Sequence, residues 1–193
     1  MDGLRVAVSG GQYSHPEGLF YGGSFETWSN QTIRKIAARY LSDADNVVLV
    51  DLHTGLGKYG NAEIILNIPK TDEAYLRAVA IWGEGRVTST VGGDSLSAPI
   101  EGSVKFGLPK MLPQPKVTAV KLEFGTSPVT TVVPALRAEN WLHYHGGTDH
   151  PEAGRIKEEL LRAFYPDADD WKVQVWNQGK EVVEQALAHT NKE

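Results

Sequence analysis

Two side chains have the types and the settings for hydrolytic chemistry: His53, in VVLVDLHTGLGKYG (residues 47–60), and Glu123, in VTAVKLEFGTSP (residues 117–128). The four apolar residues 47–50 form a run too short for a helix and suited to a strand buried on both faces. Asp51 and His53 stand at its C-terminal end, and Gly55, Gly57 and Gly60 follow, so a sharp turn is expected there. The second run alternates, with Val120, Leu122 and Phe124 on one face and Lys121 and Glu123 on the other. If the two strands are parallel neighbours, His53 and Glu123 emerge at one carboxyl edge, where open α/β sheets bind their ligands. An imidazole beside a carboxylate suits a metal ion with a general base.

Each residue also has a plainer reading. His53 could be an edge histidine satisfied by Asp51 or a backbone carbonyl, and Asp51 either orients a metal-bound imidazole or caps the turn. Without a metal, Glu123 becomes a strand-end acid paired with a base such as Arg137. Thr54 and Gly55 belong to the wall of the site, and with Gly57 they shape the turn. His143, His145 and His150 do not read as a metal cluster, because helix positions two apart point to opposite sides. His15 reads as a loop histidine. Tyr13, Phe20, Tyr21 and Trp28 are expected to form a small satellite core, and Trp141, Trp171 and Trp176 to serve packing.

The totals narrow the classes. A chain of 193 residues fits one domain, 1–193, with a sizeable core. A formal charge of -5 with no basic stripe argues against nucleic acid as a partner. The absence of cysteine excludes disulfides and thiolate ligands, so any metal must be held by histidine and carboxylate. No apolar run is long enough to span a bilayer and no secretory leader is visible at the start, so a cytoplasmic, membrane-free protein is expected.

The elements that would position the pair follow in order. A short strand is expected over residues 4–8, then a long glycine- and aromatic-rich loop, GGQYSHPEGLFYGGS. Ser29 is a candidate N-cap for a helix with Ile33, Ile36, Ala37, Tyr40 and Leu41 on one face. After the first strand come EIILNIP as another strand, a helix capped by Asp72 and running to about Trp82, and a short strand in RVTSTVG. Residues 92–115, rich in Gly, Pro and Ser, read as an irregular excursion with one brief element, a lid or wall for the site. Three helices close the chain. The first opens at residue 128 or 129 with Val132, Val133, Leu136 and Trp141. The second opens at Pro151, with Ile156, Leu160, Leu161 and Phe164 inward. Asp169 or Asp170 caps the third, with Val175, Val182, Val183, Ala186 and Leu187 inward.

The ordered series GGQYSHPEGLFYGG, WSN, DLHTGLGKYG, LEFGT, NWLH and AFYP resembles an uncharacterised branch of the zinc carboxypeptidase superfamily, related to the succinylglutamate desuccinylases and aspartoacylases. The resemblance implies an α/β fold with a mixed, largely parallel sheet flanked by helices and a helical C-terminal part. It also implies a zinc-dependent hydrolase cleaving amide bonds in small peptides or acylated amino acids. By motif, His53 matches a zinc ligand and Glu123 the glutamate that activates the metal-bound water. The family's upstream His-x-x-Glu ligand pair and its substrate-holding Asn-Arg pair have no counterpart here, so the chain resembles the C-terminal half of the family fold. That departure leads to an expectation of a truncated or split gene product, or a piece of a longer chain, that pairs with itself or with a complementing N-terminal chain. The rival expectation is a non-catalytic remnant or binding subunit.

Overall fold

A computed structural model describes residues 10–190, so the strand expected over residues 4–8 lies outside the described residues. Four strands, β1 (Asn46–Tyr59), β2 (Ala62–Leu66), β3 (Val87–Ser89) and β4 (Lys116–Gly125), form one sheet in the order β1-β4-β2-β3. β1 and β4 are parallel, as are β2 and β3, while β2 runs antiparallel to β4. The sheet is therefore mixed, with two of the three pairings among the described residues parallel. Among the described residues six α-helices accompany it: α1 (Trp28–Tyr40), α2 (Glu73–Trp82), α3 (Val104–Met111), α4 (Val129–Trp141), α5 (Ala153–Phe164) and α6 (Asp169–Thr190).

Alternation along each strand sorts its residues between two faces. On one face Ile64, Leu66, Val87, Val120, Leu122 and Phe124 pack against Tyr75, Ala78 and Trp82 of α2 and Trp171, Val182 and Ala186 of α6. The Trp82 indole donates to the Val182 carbonyl at 3.0 Å and the Tyr75 hydroxyl to the Val87 carbonyl at 3.0 Å, which leaves neither buried polar tip unpaired. On the other face Val47, Val117 and Ala119 pack against Ala37 of α1, Leu108 of α3 and the adjoining Leu112. A third cluster, Val132 and Ala135 of α4 with Ala163 of α5, closes the carboxyl side of the sheet.

Several expectations are refined by packing. The glycines after His53 do not turn the chain: β1 runs on to Tyr59 through an irregularity between Thr54 and Tyr59, and the reversal comes at Gly60, φ 72°. Gly55 and Gly57, at φ 142° and 107°, let an extended chain bulge where other residues would be strained. The α1 cap is Thr27, which accepts from the Asn30 amide, rather than Ser29; Asp72 caps α2 as expected. α3 is the brief element of the 92–115 excursion. Tyr13, Phe20 and Trp28 are exposed rather than gathered in a satellite core. Ile36, Tyr40, Leu161, Trp141 and Trp176 are likewise exposed, whereas Trp171 is buried. Along α6, Val182 and Ala186 are inside while Val183 and Leu187 face outward.

Candidate functional site

Parallel pairing sets His53 directly in register with Glu123, and Asp51 with Lys121. The four lie on the face that α1 and α3 cover, at the end of that face beyond Leu49 and Ala119. β2 extends the row, because Glu63 is in register with Glu123 across the antiparallel ladder. The sheet face thus changes along its length from an apolar floor under two helices to a charged rim where the regular parallel pairing of β1 with β4 ends. Thr54, in register with Phe124, points to the opposite face by alternation and does not join the rim.

Glu123 is only 4% exposed, and both of its oxygens are held. Oε1 accepts the Leu56 amide at 3.1 Å, and Oε2 lies 2.8 Å from Nζ of Lys121, itself buried. Lys121, not Arg137, is the base that pairs with this acid. Its ammonium also donates to Ser97 Oγ at 3.1 Å, which ties the 92–115 excursion down onto the rim. Glu63 makes a second tie: its Oε1 accepts from the Thr88 hydroxyl at 2.7 Å and from the Leu96 amide at 3.2 Å. The Gly55 Cα faces inward, where a Cβ would come within 2.9 Å of the Phe164 ring and 3.7 Å of Glu123 Oε1. Gly55 therefore lets α5 close over the carboxylate.

At the open end, His53 Nε2 lies 2.9 Å from Asp51 Oδ2, and the imidazole is well exposed. This is the partnership expected of an oriented histidine and equally that of a satisfied edge histidine. Among the described residues no three His, Asp or Glu side chains come together in a way that could hold a metal ion. His143, His145 and His150 pack instead among aromatic rings, with His150 and His145 against Trp141 at centroid distances of 5.3 and 6.4 Å, and His143 against Tyr144 at 4.8 Å. His15 sits in the long loop, its backbone held by the Gln12 side chain. The described residues thus do not by themselves fit the three-ligand zinc site that the resemblance implies.

The residue that sequence reasoning missed altogether is Lys105 of α3. It is 6% exposed, with Nζ donating to the Ile65 carbonyl at 3.3 Å. Burial, and then the nearby Lys121 ammonium, push its pKa from 10.5 down to about 8, against the pull of Asp51, Glu123 and Glu63. No residue near it in the sequence announces this, since SVKFGLPKM sits in a stretch rich in Gly, Pro and Ser. Lys121 had a signal, because the alternation already placed it on one face with Glu123.

Lys105 makes stability depend on pH. From about pH 8 to 10.5 the folded chain holds Lys105 neutral while the unfolded chain holds it protonated, so stability rises with pH through that window. Below about pH 8 the ammonium is carried in both states, and the fold bears the full cost of burying it. The Lys105→Met variant is expected to be more stable at pH 7 by up to about 3 kcal/mol and to lose this rise. Urea unfolding from neutral to alkaline pH checks it; equal slopes for variant and parent would show that Lys105 is not the group responsible.

The chain matches the model of a family described as "Protein of unknown function (DUF2817)" over residues 1–178. No curated protein and no solved structure matches it. No helix among the described residues is long and apolar enough to cross a membrane.

Proposed function

The chain belongs to the DUF2817 family, and from that premise we propose that its charged rim is part of an amide-hydrolase site in which Glu123 is the proton-transferring base. The observation that carries this reading is the in-register placement of His53 and a buried, hydrogen-bonded Glu123 at the end of the regular parallel pairing of β1 with β4. The likeness of DLHTG and LEFGT to motifs of the zinc carboxypeptidase superfamily supports the same reading. Small peptides and acylated amino acids are the substrates to which that likeness points.

Glu123 suits the role. Each of its oxygens has one protein partner and keeps a lone pair for a water molecule. As the water oxygen attacks the amide carbonyl carbon, the carboxylate takes a proton, and it returns that proton to the nitrogen as the C–N bond breaks. The Leu56 amide and Lys121 fix the carboxylate so that it need not reorient between the two transfers. Asp51 orients His53 at the mouth of the site. Zinc would require ligands from outside the described residues, because no three His, Asp or Glu side chains among them come together to hold it.

Hydrolysis of a panel of N-acylated amino acids and short peptides, with and without added zinc, tests the proposal. Glu123→Gln, whose amide oxygen still accepts from Lys121, is expected to lower turnover by about 10²- to 10⁴-fold per folded molecule, the folded fraction being read by circular dichroism. Unchanged turnover in the variant removes Glu123 from the mechanism.

A second reading, a binding subunit completed by another chain, is favoured by the position of β1. Among the described residues β1 is hydrogen-bonded on one side only, and Leu52 at its open end is 62% exposed. Inactivity of the parent on the whole panel, in either condition, favours this reading.

A further inference from the structure

α6 carries two apolar stripes. One, Trp171, Val175, Val182 and Ala186, packs on the sheet. The other, Val173, Trp176, Lys180, Val183 and Leu187, is exposed throughout, with Trp176 69% exposed. Its spacing is three, four, three, four, the repeat that lets one helix lie along another with a continuous seam. A 22-residue helix is about 33 Å long, room for three heptads. The helix is already held in place by its other face, so pairing along the outer one incurs none of the ordering cost that makes short isolated coiled coils marginal.

We propose that this seam is a self-association surface on which a second copy of the chain docks through its own α6, with the two helices antiparallel. Charge selects both the occupant and the orientation. The one polar residue in the seam, Lys180, is flanked by Glu181 and Glu184, and Glu184 lies 3.6 Å from it within the helix. A parallel pair would set Lys180 against Lys180 of the second copy. An antiparallel pair places Trp176 against Leu187 and Lys180 against Val183, within reach of Glu184 of the second copy. Each copy thus offers the other's lysine a second acid beside its own Glu184. The surface is complementary to itself only in this orientation, as an isologous two-fold contact requires.

Sedimentation equilibrium over about a hundredfold range of concentration should show a monomer–dimer equilibrium. Trp176→Glu should raise Kd by about 30-fold or more, with circular dichroism unchanged, and with thermal unfolding unchanged at dilutions where the parent is monomeric, because the side chain is outside the core. Orientation is read with cysteines, since the chain has none of its own. The antiparallel layers pair Val173 with Thr190, so the Val173→Cys, Thr190→Cys double variant should oxidise to a covalent dimer and Val173→Cys alone should not. A monomer at every concentration, a dimer indifferent to Trp176→Glu, or ready cross-linking of Val173→Cys alone would each overturn the proposal.

Discussion

Truncating Lys121 to Ala is expected to lower stability by about 3–5 kcal/mol, among the largest single effects available in this chain. The reason lies in what remains. Glu123 would keep its place beneath α5 and the 92–115 excursion with one oxygen on the Leu56 amide and the other facing the space left by the ammonium. A carboxylate so enclosed keeps only the Lys105 ammonium, itself costly to charge, as a counter-charge, and one water on its free lone pair does not replace bulk solvent. Glu123→Ala should cost a similar amount by stranding Lys121. Replacing both, Lys121→Met with Glu123→Leu, should restore most of the loss, because two apolar side chains of similar size need no partner in a buried site. Denaturant unfolding of the two single variants and the double variant forms the cycle that measures the coupling. Single variants within 1 kcal/mol of the parent would mean that bulk solvent screens the pair. A stable double variant without hydrolytic activity would show that the charges are retained for chemistry rather than for the fold.

Gly125→Ala should destabilise by about 3 kcal/mol or more, for a purely steric reason. Gly125 ends β4 beneath the reversal that joins β1 to β2, where its carbonyl accepts from the Gly60 amide and its amide donates to the Asn61 carbonyl, both at 2.9 Å. The Trp171 indole donates to the same carbonyl at 2.9 Å. A Cβ here would run into backbone atoms of Gly57 and Lys58, and backbone cannot swing aside as the end of a side chain can. Relief would require moving the bulge that carries Leu56, whose amide holds Glu123. The variant is therefore expected to lose activity beyond what its lowered midpoint explains. A midpoint within error of the parent would show that the reversal is soft.

How much of this was legible beforehand depends on which force set each feature. The apolar run 47–50 and the alternation from Val117 were readable as strands from the residue types themselves, but the depth of burial was not. Only Val47 of the first run is buried, because β1 is an edge strand among the described residues, whereas β4 is buried on both faces, Lys121 and Glu123 included. From that alternation the shared face of Lys121 and Glu123 followed, and the parallel register supplied the juxtaposition with His53 that the sequence could state only as a condition. Gly55 and Gly57 misled, because a positive φ serves an extended bulge as well as a turn. Val183 and Leu187 misled for a related reason: a helix with two apolar stripes satisfies the same spacing test as one with a single broad face. Lys105 left no trace, since its burial comes from strands far along the chain. Arg137 was the wrong partner for Glu123 because the competing lysine two residues away lay on the same face and nearer.

The strand order carries one more consequence. β4 is the strand hydrogen-bonded to both β1 and β2, yet it is the last of the four to be synthesised. At 5–20 residues per second the ribosome takes roughly 3–13 s to travel from the end of β1 to the end of β4. Throughout that interval the apolar run 47–50 waits without its neighbour, a window in which a holdase or a second nascent chain competes for it, and slower elongation between the two strands would widen the window.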